Sequence, residues 1–123
     1  MEESKKRVYV LDDDEGILSI AKRILDKSGF EVRTSSRAIG TTNDIKEFSP
    51  HVLLVDVMMP ALKGTKVVEI VRKLLDPIPI IILYSNKSAD ELRELSIESG
   101  ADDYLCKTEG PQALLRKVRM HTL

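Results

Sequence analysis

The sequence predicts an α/β protein with a five-stranded parallel sheet and helices on both faces, for which 2-1-3-4-5 is a common strand order and the one expected here. Three observations lead there. Short apolar runs recur at 8–11, 52–55, 78–83 and 104–106, with a weaker one at 30–33; strands buried on both faces carry such near-continuous runs. Segments with apolar residues at helical spacing alternate with them. Gly29, Pro50, Pro77 and Gly100 fall between a helical segment and the next run, where helices end.

Val8 to Leu11 predicts the first strand. Ile17, Leu18, Ala21, Ile24 and Leu25 then recur at helical spacing, with Asp14 as N-cap and Gly29 as stop. Phe30 to Arg33 predicts the second strand. A weak helix is expected over 36–48 from Ala38, Ile39, Ile45 and Phe48, closed by Pro50. Val52 to Val55 is the third strand. Val67, Val68, Ile70, Val71, Leu74 and Leu75 mark the third helix, ended by Asp76-Pro77. Ile78 to Leu83 is the fourth strand. Ser88 with Glu91 forms a capping-box signal for a fourth helix containing Leu92 and Leu95 and ended by Gly100. Tyr104 to Cys106 is the fifth strand. Pro111 opens a last helix with Leu114, Leu115 and Val118 on one face. Neither an internal repeat nor a linker interrupts this order, so 1–123 is expected to form one domain.

Of the 123 residues, 42% are hydrophobic but only 4% aromatic, and Trp is absent. The core must therefore be mostly Val, Ile and Leu. A formal net charge of -1 argues against a direct nucleic-acid or membrane-surface binder, whose footprint is basic. The basic run Lys5-Lys6-Arg7 is expected to be a solvated chain start. One cysteine, Cys106, allows no internal disulfide, so a reducing cytoplasm is expected, with Cys106 a small buried hydrophobe. No stretch approaches the roughly 18 apolar residues of a membrane helix, and the charged start MEESKKR, with no apolar core behind it, is not expected to be a signal peptide.

Ligands of open α/β sheets bind beyond the carboxyl ends of the strands. Asp12, Asp13, Asp14 and Glu15 follow the first strand, Asp56 the third, Ser85 and Asn86 the fourth, and Lys107 the fifth. In the order 2-1-3-4-5 these groups converge on one rim. Carboxylates crowded together raise one another's pKa, and a hard divalent cation resolves the conflict. Mg²⁺ takes oxygen ligands and often shares a phosphate oxygen. Asp12, Asp13 and Asp56 can supply carboxylates, and a backbone carbonyl near Met58 another oxygen. Lys107 brings a point charge and Ser85 a hydroxyl. Such parts suit phosphoryl transfer to a carboxylate, with Asp56 the best nucleophile because it stands alone after a central strand.

With these residues in view, the sequence resembles the receiver domain of two-component response regulators along nearly its whole length. "VYVLDDDEG" resembles that family's first strand and acidic pair, and "LLVDVMMPALKG" its phosphoacceptor segment. "PIIILYSN" resembles its fourth strand with the Ser/Thr, and "GADDYLCK" its fifth strand with an aromatic residue and a lysine. The resemblance implies a flavodoxin-like, doubly wound fold. It implies that Asp56 is phosphorylated, that Asp12 and Asp13 hold Mg²⁺ with Asp56 and the Met58 carbonyl, and that Lys107 contacts the phosphoryl group. Ser85 would swing toward that group and Tyr104 would turn inward after it. The face of helix 4, strand 5 and helix 5 would carry the signal to an output domain or downstream protein, or into a phosphorylation-dependent dimer. The phosphoryl donor would be a sensor histidine kinase or phosphotransfer protein. His51 and His121 are expected to be surface or cap residues, and the side chains of Met58 and Met59 to be packing.

Two departures matter. The family usually carries Pro after its lysine, often with a cis bond; here Thr108 follows Lys107. A non-proline cis bond costs about 2.5–4 kcal/mol, so a trans bond or a shifted loop is expected, with Lys107 aimed less directly. Asn86 replaces the usual small residue after the Ser/Thr and can crowd the pocket or hydrogen-bond into it. These departures motivate the alternative of a phosphorylation-independent pseudo-receiver acting as a protein-binding module. A haloacid-dehalogenase-like phosphohydrolase is disfavoured because Met58 stands where its second Asp belongs. A flavodoxin-like electron carrier is disfavoured because Asp12 to Glu15 would repel a phosphate. No output domain is visible, so the chain is expected to be a stand-alone receiver or a piece of a larger regulator.

Overall fold

The computed structural model describes residues 5–123, so the first four residues of the charged start lie outside it. Five strands, β1 (Arg7–Leu11), β2 (Glu31–Ser35), β3 (Val52–Val55), β4 (Ile80–Ser85) and β5 (Asp103–Cys106), alternate with helices α1 (Glu15–Lys27), α2 (Thr42–Phe48), α3 (Gly64–Leu74), α4 (Ala89–Ser99) and α5 (Pro111–Met120). All pairings are parallel, in the order β2-β1-β3-β4-β5. The predicted architecture and strand order are both present.

Strand alternation divides the core in two. Tyr9, Leu11, Leu53, Val55, Ile81 and Leu83 point toward α2, α3 and α4. Val8, Val10, Leu54, Ile82, Tyr84 and Leu105 point toward α1 and α5, where Leu18, Leu25, Leu114 and Val118 meet them. Both faces of the central strands are thus covered, which is why those strands read as unbroken apolar runs.

Several boundaries differ from the sequence expectation, each for a backbone reason. Phe30 does not start β2. Gly29 turns left-handed, with φ 93°, and the N–H groups of Gly29 and Phe30 donate to the carbonyls of Asp26 and Leu25. This is the Schellman pattern; it spends the Phe30 N–H on closing α1, so the ladder starts at Glu31. Helix α2 starts at Thr42 rather than 36, because Gly40 takes φ 83° and breaks the helical run. Strand β4 starts at Ile80, since Pro77 and Pro79 have no N–H to donate and the first ladder bond runs from Ile80 N–H to His51 O.

Arg7 also departs from expectation. It is not a solvated start but the first residue of β1, and its Nε donates to the carbonyls of Phe48 and Ser49 at 3.0 and 2.9 Å, tying β1 to the end of α2. The Asp14 cap is as expected: its Oδ1 accepts from Gly16 and Ile17, a contribution of about 1 kcal/mol. Ser88 Oγ accepts from Glu91 N–H and donates to the Glu91 carboxylate. Among the described residues no helix is long and apolar enough to cross a membrane.

Candidate functional site

The carboxyl ends of β1, β3, β4 and β5 bring Asp12, Asp56, Ser85 and Lys107 to one rim. Backbone bonds carry the ladders one step beyond the strands: Asp12 N–H donates to Ser35 O and Asp56 N–H to Leu11 O. The two acids are therefore placed by rigid sheet, not by loop. Asp12, Asp56 and Ser85 are almost fully buried, whereas Asp13 is exposed. A cleft of about 490 Å³ opens above them, lined by Asp56, Ser85, Asn86 and Lys107 together with Asp13 and Met58.

Lys107 Nζ lies 2.7 Å from Asp12 Oδ2 and 3.4 Å from Asp56 Oδ2. The cation offsets the repulsion between the two carboxylates. Burial, reinforced by the Asp12 charge, raises the Asp56 pKa; Lys107 and the Met58 N–H offset this only in part. Burial by itself would lower the Lys107 pKa, but the two acids outweigh it and raise it, so the ammonium stays charged. Asp12 Oδ1 accepts from Asp14 N–H and Asp56 Oδ1 from Met58 N–H.

The donor set fits a divalent cation. Asp12, Asp13 and Asp56 each offer an oxygen, and these oxygens lie within 4.8 Å of one another. Asp12 Oδ2 is buried, and its one partner among the described residues is the Lys107 ammonium at 2.7 Å. A buried carboxylate oxygen whose partner is a lysine ammonium can take a hard cation as a further partner.

Lys107 reaches the acids despite the departure at Thr108. The Lys107–Thr108 bond is trans, as expected, but the expected loss of aim is not seen. Residues 107–109 form a single tight turn closed by Gly110 N–H on Lys107 O, and this turn, rather than a proline, directs the side chain inward. Asn86 is exposed at the cleft rim and makes no hydrogen bond to the acids.

Met58 and Met59 part company. Met59 packs in the core as expected, but the Met58 side chain is 63% exposed and lines the cleft, so its packing expectation is corrected. Tyr104 is half-buried against the α2–α4 side of the core, outside the cleft. Cys106 is only half-buried, its Sγ 3.4 Å from Lys87 O.

Sequence reasoning missed the part played by Tyr84 and the close approach made by Gly64, and outside the site it missed one long-range pair. Tyr84 places its ring 5.8 Å from Lys107 Nζ and helps orient the cation; its one signal was an aromatic just before Ser85. Gly64 starts α3 directly against the end of β3, with its N–H on Val57 O. His121 caps α5 as expected, but its Nε2 also lies 2.8 Å from Asp103 Oδ2, eighteen residues away, where no local pattern could reveal it.

Comparison with known proteins agrees with this geometry. Residues 8–119 match the family model for the response regulator receiver domain. The chain is 38% identical over 116 residues to the transcriptional regulatory protein PrrA of Mycobacterium leprae, covering 94% of this chain and 49% of PrrA. It spans about half the length of the curated relatives it matches. Among solved structures, a CheY-like receiver domain protein from Methanospirillum hungatei superposes with TM-score 0.85 at 32% identity, covering 95% of this chain and 93% of that one. The BeF3-activated receiver domain of DrrB, a Thermotoga maritima protein, superposes with TM-score 0.84 at 30% identity, covering 97% and 98%. A rim of buried acids facing a lysine on a 2-1-3-4-5 parallel sheet, matched along nearly its whole length, makes this chain a member of the response regulator receiver domain family.

Proposed function

We propose that Asp56 accepts a phosphoryl group from the phosphohistidine of a sensor histidine kinase or phosphotransfer protein. The observation that carries this is the Asp56 carboxylate itself. It is held by a central strand at the floor of an open cleft, with Lys107 3.4 Å away and the buried Asp12 carboxylate beside it, its Oδ2 paired with the Lys107 ammonium at 2.7 Å.

In the transfer, an Asp56 carboxylate oxygen bonds to phosphorus while the bond from phosphorus to the donor nitrogen breaks. The electron pair stays on that nitrogen and the product is an acyl phosphate. Asp12, Asp13, Asp56 and the Met58 carbonyl would hold Mg²⁺, which supplies positive charge for the phosphoryl oxygens. Lys107 offsets the remaining charge, and its contact with Asp12 keeps it beside the cleft before the donor arrives. Hydrolysis later returns the carboxylate and inorganic phosphate. The domain is thus a substrate and switch, not a turnover enzyme.

Ser85 would bond the new phosphoryl oxygens, and Tyr104, half-buried on β5, would follow. The face formed by α4, β5 and α5 would pass the state to an output domain or downstream protein, or into a dimer, in the cytoplasm. This is a local charge event biasing a two-state element.

Intact mass after incubation with a small phosphodonor and Mg²⁺ tests the reading. One phosphoryl adduct is expected on wild type and none on Asp56→Ala or with chelator. Beryllofluoride, the activator named for the DrrB receiver domain, should perturb amide signals around Asp56 and Ser85. No adduct and no beryllofluoride effect would favour the phosphorylation-independent binding module.

A further inference from the structure

Beside the acceptor cleft lies a larger groove of about 710 Å³, between the β3–α3 loop and α4. Val57, Met58, Met59 and Leu95 give it an apolar floor, and Glu91, Glu94 and Glu98 form one wall. A smaller cavity continues it between α3 and α4 past Glu98 to Glu69. Leu92, Ser96 and Ser99 turn α4's buried side to the core, which leaves the three acids on its exposed side at a spacing of three and four residues. Seven residues of helix span about 10.5 Å, so the acidic wall is two turns long. Glu91 is paired with Lys87 at 3.6 Å; among the described residues Glu94 and Glu98 have no ion-pair partner.

We propose that this groove docks a cationic amphipathic helix of a partner protein, with its apolar side on Met58 and Leu95 and its Lys or Arg residues on Glu94 and Glu98. An apolar floor beside a carboxylate wall fits that chemistry and no simple polycation. Lys63 and Lys87 also line the groove, but Asp13, Glu91, Glu94 and Glu98 outnumber them, so its field disfavours nucleic acid and anionic lipid. Exposed methionine adapts to varied apolar side chains. A second copy's basic α5 buries its own apolar side, Leu114, Leu115 and Val118, in its own core and has none to lay on Met58 and Leu95, so a separate partner is the better occupant. Asp13, Met58, Lys87 and Glu91 line both cavities. An occupant would therefore also report the state of Asp56; that coupling rests on the acceptor role proposed above, whereas docking itself does not.

The test is an amide-shift titration of the full chain, unphosphorylated and in chelator. The probe is a synthetic peptide of about 14 residues, four helical turns, with Leu and Lys at amphipathic spacing. Saturable shifts confined to 57–59 and 91–98 are expected. Glu94→Lys with Glu98→Lys should weaken the peptide about tenfold or more, the gentler Glu94→Gln/Glu98→Gln pair by less, and a Glu-for-Lys peptide should not bind. Shifts that scatter over the surface, fail to saturate or survive the charge reversal would overturn the proposal, as would groove shifts that appear on concentrating the protein alone. Asp56→Ala should still bind the peptide, so failure of docking and failure of phosphorylation are read separately.

Discussion

The Lys107 ammonium is bound 2.7 Å from the Asp12 carboxylate, and both side chains are nearly buried. Removing the cation leaves Asp12 and Asp56 facing each other without compensation. Lys107→Met should therefore lower stability in chelator by on the order of 3 kcal/mol, read from urea denaturation. Asp56→Asn should act oppositely, raising stability in chelator by on the order of 1 kcal/mol and with it the urea midpoint, because it removes one of two like charges.

The same pair sets a pH dependence. Burial first, then the Asp12 charge, raises the Asp56 pKa above its usual 3.8. The folded state thus holds this proton more tightly than the unfolded chain, and folding stability must fall as pH rises from 3.8 through the raised value. In chelator, wild type should show this negative slope in its melting temperature and Asp56→Asn should not. A slope that persists in Asp56→Asn would assign the effect to another group.

A Cβ on Gly64 would overlap the Asp56 carbonyl oxygen and lie 2.9 Å from Val57 Cα. Backbone cannot swing aside as a long side chain can. Gly64→Ala is expected to cost about 3 kcal/mol and to slow phosphorylation of Asp56, since the clash displaces the end of β3. Thermal unfolding and adduct formation followed by mass measure the two effects.

At the opposite rim, Asp103 accepts from Lys117 at 3.1 Å and lies 2.8 Å from His121 Nε2. Burial alone would raise its pKa, but the contacts from His121, the Tyr104 N–H and Lys117 outweigh this and lower it. The stability it contributes is complete above 3.8 and lost as pH falls through the lowered value. Asp103→Asn should cost about 1–2 kcal/mol at neutral pH and flatten the acid limb of the stability profile.

Much of the site was legible because its residues follow strands directly. The run Val52 to Val55 announces a buried strand, so Asp56 after it must emerge at the rim, and Asp12 after Leu11 must do the same one strand away. Boundaries were less legible because backbone accounting does not show in side-chain pattern. Phe30 is apolar enough for a strand, yet its N–H closes α1. Ile78 is apolar too, yet it sits between two prolines. Met58 and Met59 are chemically alike, and only the turn after β3 decides which one faces solvent.

The sequence by itself determined the sheet, the burial of its central strands and the acids and lysine at its rim. Apolar periodicity and the order of runs are local properties that the chain carries in any conformation. Tertiary structure decided which groups pair: Lys107 with Asp12 from β5 to β1, Arg7 with the end of α2, His121 with Asp103. Each joins residues distant in sequence, and their attraction becomes large only when folding removes the water between them.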